Sequence, residues 1–190
     1  MWWAALLNNL VALLGTAGGG GGAGAYESIQ TVTVGSGGTA NVEFTSIAAD
    51  WKHLQIRCIA RGTSTPVSLV MQFNGATTNY NMHQMYGDGS SATAANPSDS
   101  AILIGNLSPS STSASVFAGN VIDVLDYANI NKYKTARALS GYDNNGSGYV
   151  VFQSGLWMST SAITSIKLFP RTAAGNLAEH SQFALYGIKG

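Results

Sequence analysis

After Tyr26 the chain never sustains the apolar spacing of a helix for three turns, which leaves no helical core to build. Apolar and polar residues instead alternate over short stretches, as in Ala40, Val42 and Phe44, in Leu69, Met71 and Phe73, and in Phe183 and Leu185. Successive side chains of a strand point to opposite faces, so this period of two marks strands with one buried face. Candidate strands begin at Ser28, Thr39, Lys52, Ser68, Tyr80, Ala101, Ser115, Tyr133, Tyr149, Ile163 and His180, and Gly, Ser, Asn and Asp separate them. Short strands with turn signals at regular spacing predict an all-β protein, a single β-sandwich of jelly-roll type over residues 26–190. The run DNNGSG from Asp143 to Gly148 reads as a hairpin turn, because Asn and Gly accept positive φ. It lacks the alternating acidic ligands and closing glutamate of a Ca²⁺ loop.

Only 9% of the residues are charged, against roughly a quarter in an ordinary soluble domain. Nine basic and nine acidic side chains cancel and form no dense basic block, which argues against nucleic-acid binding. Copies of such a chain repel one another weakly, a property suited to an assembly component. Cys58, the only cysteine, shares a strand face with Leu54, Ile56 and Ala60 and is read as a buried, inert thiol.

Residues 1–17 form an apolar segment and residues 18–25 a glycine-rich linker. On a helix, Trp2 and Trp3 open a face continued by Leu6, Leu7, Leu10, Leu13 and Leu14. Thirteen helical residues span about 20 Å, short of the roughly 30 Å hydrocarbon layer, so no membrane span is expected. Ala23-Gly24-Ala25 resembles a signal-cleavage site, but no Lys or Arg precedes the run and Asn8-Asn9 interrupts it. The segment is read as a docking or oligomerisation arm, with a signal peptide and an interfacial membrane helix as alternatives. Gly18, Gly19, Gly20, Gly21 and Gly22 would serve as its hinge.

No nucleophile elbow, Walker sequence or zinc-protease motif is present, no cofactor is implied, and His53, His83 and His180 lack partners at metal-ligand spacing. Asp123 and Asp126 are the only close pair of aspartates; with a histidine they define a hydrolase alternative, although residues three apart on a strand face opposite ways. Trp51, Trp157 and eight tyrosines leave room for stacking on sugars. Two stretches, residues 87–100 and 108–115, read as surface loops without packing residues. Asp88, Ser90, Asn96, Asp99, Ser110 and Thr112 are their candidate recognition residues.

The phrases YESIQTVTVGSGGTANVEFTSI, HLQIRCIARG, VIDVLDYANINKYKTARALSGYDNNGSG, SGLWMSTSAITSIKLF and FALYGIKG resemble short virion-associated proteins of tailed bacteriophages. The resemblance covers most of the chain from Tyr26 onward and carries no catalytic motif. It implies a non-enzymatic virion protein made in the bacterial cytoplasm and displayed on the particle, anchored through its amino-terminal arm to capsid or tail proteins. A capsid-decorating or head-fibre protein is the first expectation, and a tail-fibre or tip protein binding a host-surface glycan or receptor the alternative. The resemblance further implies a threefold appendage, so a homotrimer is expected.

Overall fold

The computed structural model describes residues 24–65, 68–97, 100–171 and 175–190. The proposed arm, including Trp2 through Leu14, and the hinge glycines Gly18 to Gly22 lie outside them, as does Asp99. The described residues contain no helix and twelve strands. These are β1 (Tyr26–Thr33), β2 (Val42–Phe44), β3 (His53–Ala60), β4 (Ser68–Phe73), β5 (Tyr80–Gly87) and β6 (Ala92–Ala95). They continue with β7 (Ile102–Asn106), β8 (Ala118–Leu125), β9 (Lys134–Asp143), β10 (Gly148–Trp157), β11 (Ile166–Pro170) and β12 (Gln182–Ile188).

Two antiparallel sheets face each other. The larger has eight strands in the order β1-β12-β3-β8-β9-β10-β5-β6, and the smaller has four in the order β2-β11-β4-β7. Alternation decides what each strand contributes to the space between them. From the large sheet come Leu54, Ile56, Ile122, Val124, Phe183 and Leu185; from the small sheet come Phe44, Leu69, Met71, Phe73, Ile102, Ile104, Ile166 and Leu168. All are essentially removed from water. Cys58 joins this core, and burial pushes its thiol up to about 12, as an inert cysteine requires. The hairpin expected at Asp143–Gly148 joins β9 to β10, with Asn145 and Gly146 both at positive φ.

The large sheet does not stop at the border of the small one. Strands β9, β10, β5 and β6 carry it beyond β8, beneath and around β7, the last strand of the small sheet. The inward positions of β9 and β10 include Ala136, Ala138 and Gly155, small enough for β7 to lie close. A Cβ on Gly155 would overlap the Ile102 side chain. On the far face of the small sheet, Met82 of β5 closes a second cluster with Val70, Ala101, Leu103 and Phe169. The free edge of β7 is thereby covered, which removes a surface open to strand pairing with other chains.

Two expectations are corrected here. Residues 87–100 are not loop throughout: Ala92 to Ala95 form β6, whose alanines offer no apolar periodicity and which exists by pairing with β5. Residues 108–115 are not without packing, since Ser108 and Pro109 are buried. The cause is Arg61. Its Nη1 donates to Thr112 Oγ1 at 2.7 Å, to Ser113 O at 2.8 Å and to Val116 O at 3.1 Å, and its Nη2 donates to Thr112 O at 2.9 Å and Ser110 O at 3.2 Å.

Lys134 is the one fully buried lysine among the described residues. Its ammonium donates to the carbonyls of Asn129, Lys132 and Thr160 at 2.6, 2.9 and 3.0 Å, tying two loops to the start of β9. Burial lowers its proton affinity, with Asp126 opposing. Replacing Lys134 by Ala strands three carbonyls and opens a void, an expected loss of about 3 kcal/mol. For a chain of this size that is a fall of roughly 6–12 °C in melting temperature, read by calorimetry.

Candidate functional site

The outer face of the large sheet carries a feature that the sequence does not advertise. Met85 of β5 stands opposite Phe152 of β10, Phe152 opposite Leu139 of β9, and Leu139 opposite Val121 of β8. Four apolar side chains on four neighbouring strands thus form one row across the sheet. Val150, two residues from Phe152, extends it along β10, and Ile59 of β3 flanks it beyond Gly119. These six residues are between 40% and 64% exposed. Scaled by side-chain size, that leaves roughly 600 Å² of apolar surface open, at the top of what a monomer ordinarily shows. It is most of the roughly 800 Å² that each partner contributes to a standard interface.

Around the row the face is polar but organised. Gln55 Nε2 donates to Asp123 Oδ1 at 2.7 Å, while Gln55 Oε1 accepts from Tyr26 Oη at 2.8 Å and from Arg57 Nε at 3.0 Å. Tyr26 and Tyr186 stack at 4.8 Å, and the Arg57 guanidinium lies 5.4 Å from the Tyr26 ring centroid. The strand signal for the apolar row is a broken alternation. Val121-Ile122, Ala138-Leu139 and Val150-Val151-Phe152 place apolar residues on both faces, where a sheet with one solvated face alternates.

Asp123 and Asp126 have different partners. Asp123 sits on the outer face of β8 against Gln55, whereas Asp126 lies past the strand end at φ 48°. Its carboxylate meets Lys52 and Lys132, each at 2.7 Å, and its backbone N–H donates to His53 Nδ1 at 3.0 Å. The hydrogen bonds from Lys132 and then Lys52 hold its carboxyl down to about 2. His83 lies on the exposed outer side of β5, and His180 occupies an exposed turn at φ 69° beside Glu179. Among the described residues no group of three His, Cys, Asp or Glu side chains converges as a metal site.

The recognition candidates divide in the same way. Asp88 accepts from the backbone N–H groups of Ser90 and Ser91 at 2.9 and 2.8 Å and from the Ser90 hydroxyl at 2.8 Å, which builds the β5–β6 turn. Those bonds, the Ser90 N–H first, hold its carboxyl down to about 2. Ser110 Oγ pairs with Thr65 Oγ1 at 3.0 Å, and Thr112 belongs to the Arg61 cradle. Asn96 follows β6 and is exposed beside Met85 and Phe152. Trp157 is buried against Tyr80 and Phe73, and Trp51 packs on the core with Lys189 above its ring at 5.3 Å, so neither presents an open stacking face.

No protein-family model matches the chain. No curated protein matches it either.

Two outcomes follow from these pairings. Asp126 binds its proton less readily folded than unfolded, so its stabilisation is present above about pH 4 and is lost as pH falls toward 2. Asp126→Asn should therefore flatten the dependence of the urea midpoint on pH between 4 and 2, leaving the share that Asp88 contributes in the same direction. Arg61→Lys keeps the charge but loses the planar fork. Amide hydrogen exchange across residues 108–116 should accelerate at least about tenfold while that in β3 and β8 is unchanged.

Proposed function

We propose that this protein is a non-enzymatic structural component of a bacteriophage particle, a homo-oligomer whose copies meet through the apolar row on the outer face of the large sheet. The observation that carries the reading is the alignment of Met85, Phe152, Leu139 and Val121 in register on adjacent strands. Water gains when such a face is covered, and a chain with 9% charged residues sets little repulsion against its copies. Closed assemblies bury equivalent patches in every copy, and the resemblance to phage virion proteins favours three. The strand order supports a jelly-roll frame: β1-β12-β3-β8 faces β2-β11-β4-β7, and the chain crosses between these two quartets at every step except β4 to β7, with β5–β6 and β9–β10 as insertions. Those insertions supply Met85, Phe152, Leu139 and Val150, so the added strands are also the ones that build the contact surface.

In this reading residues 1–17 attach the assembly to the particle, residues 18–25 act as the joint, and the location is the capsid exterior. A tail location is the second reading, supported by the cleft described below. Purified full-length protein should run as a trimer by light scattering at micromolar concentration. Leu139→Glu places a charge in the row without entering the core, so the variant should keep its melting temperature within a few degrees, fall to monomer and fail to join particles. A wild-type monomer, or a Leu139→Glu variant of unchanged mass, would overturn the outer face as the contact.

A further inference from the structure

The inserted strands have a second surface. β7 ends at Asn106, whose backbone N–H donates to Ser140 Oγ at 3.0 Å. Beyond that point the inward face of the hairpin β9–β10 is no longer roofed by the small sheet. The next inward residue on β9 is Tyr142; its partner across the hairpin is Tyr149, and Tyr86 of β5 stands diagonally beside it. The rings of Tyr142 and Tyr149 are 6.0 Å apart, and those of Tyr86 and Tyr149 are 6.3 Å apart. They form one wall of a cleft of about 430 Å³. Opposite stand Leu103 and the loop of Pro109 and Ser111 that Arg61 holds in place.

The chemistry of the cleft is uneven in an informative way. Three partly exposed aromatic rings are far more than a wall needs, and the hydroxyls of Tyr86, Tyr142 and Tyr149 have no hydrogen-bond partner among the described residues. Burial, then the neighbouring Tyr149, push the Tyr142 phenol above its usual range, so it is a neutral hydroxyl that donates and accepts. Gln84 accepts from Gln153 Nε2 at 3.2 Å and leaves its own amide N–H groups for a ligand. Among the described residues Arg171 is the one charged side chain lining the space, and no carboxylate or histidine does. A partner that suits it has a flat C–H face to lie on the rings and hydroxyls around its rim to meet the phenols and amides. Pyranose sugars have that form. A nucleic-acid strand would also stack but brings phosphates for which the near-neutral chain has no basic track.

We propose that the cleft walled by Tyr86, Tyr142 and Tyr149 is a binding site for a neutral oligosaccharide. The volume falls within the roughly 300–1,000 Å³ of small-molecule sites. It also has an exit. Tyr142 and Tyr149 border a second, shallower trough of about 520 Å³, also lined by Asp88 and Asp143, where the open Cβ positions of Gly89 and Gly146 leave room for a sugar chain to continue past the sheet end. Glycoside hydrolysis calls for a pair of carboxyl groups flanking the bond; among the described residues none lines the cleft, and the two beside the trough, Asp88 and Asp143, accept backbone N–H groups of their own turns, so the site is proposed as one of binding. The inference goes beyond the assembly reading and does not depend on it, because cleft and apolar row lie on opposite faces of the same strands.

The test uses the full-length protein on an array of bacterial surface-polysaccharide fragments that includes malto-, cello-, chito- and mannohexaose, followed by calorimetric titration of the strongest hit. Tyr149→Ala should weaken that binding about tenfold or more, and Tyr149→Trp, which keeps a flat ring, should restore it. Tyr26→Ala, on the outer face, should leave affinity unchanged and serves as the control. Melting temperatures of all three variants report whether the fold survives. If Tyr149→Ala unfolds the hairpin, Gln84→Ala, which removes only the amide, supplies the same reading with an expected loss of about fivefold or more. No neutral glycan bound by the wild type, or binding indifferent to Tyr149 and Gln84, would overturn the proposal. Loss of binding in Leu139→Glu with retention in Tyr149→Ala would place the sugar on the outer face and overturn it as well.

Discussion

The close approach of β7 to the inward face of β9 and β10 is the constraint on which the rest of the molecule depends. It requires small residues there: Gly155 leaves the space that the Ile102 side chain fills, and Ala136 and Ala138 are the buried inward residues of β9 beside it. Because the fit occurs beyond β8, it anchors four strands that would otherwise hang from the edge of the large sheet. Met82 then reaches the far side of β7, so both faces of that strand are dry. Without this contact the added strands would have neither a packed face nor a fixed direction.

A chain with so few charges uses them as ties between loops. Arg61 spreads its guanidinium over the carbonyls of residues 110 to 116, Lys134 gathers three carbonyls from two loops, and Asp126 bridges Lys52 and Lys132. Each tie satisfies polar groups that irregular chain cannot pair internally. The loops they hold border the cleft and the ends of the sheet. Rigid loops suit a surface that must keep its shape, since ordering entropy is already spent before a ligand or partner arrives.

Strands β5, β9 and β10 have different faces and different chemistry. Outward they show Met85, Phe152, Leu139 and Val150; inward, past the end of β7, they show Tyr86, Tyr142 and Tyr149. An apolar row excludes water best against a large, flat partner such as another copy. Tyrosines in a recess offer stacking and hydroxyls together, which suits a small polar ligand. One sheet therefore carries an apolar row on one side and a tyrosine-walled cleft on the other, with β10 contributing to both.

The sequence by itself determined that the body is β, where most strands lie, that DNNGSG turns a hairpin and that Cys58 is inert, because these follow from alternation, local turn chemistry and one strand face. Strand β6 escaped, as ATAA has no apolar rhythm and is a strand only by pairing with β5. Asp88, which read as a recognition group, is tied into its own turn by Ser90 and Ser91, and Thr112, read the same way, holds a loop through Arg61, a partner some fifty residues away that its local sequence does not signal. The broken alternation at Val150-Val151-Phe152 was visible, but not what it meant. Tertiary structure alone decided that Met85, Phe152, Leu139 and Val121 align, and that Tyr86 meets Tyr142 and Tyr149. The physical reason is that strand order in a sheet is set by long-range packing: periodicity says which way a side chain points, and only the neighbouring strand says what stands beside it.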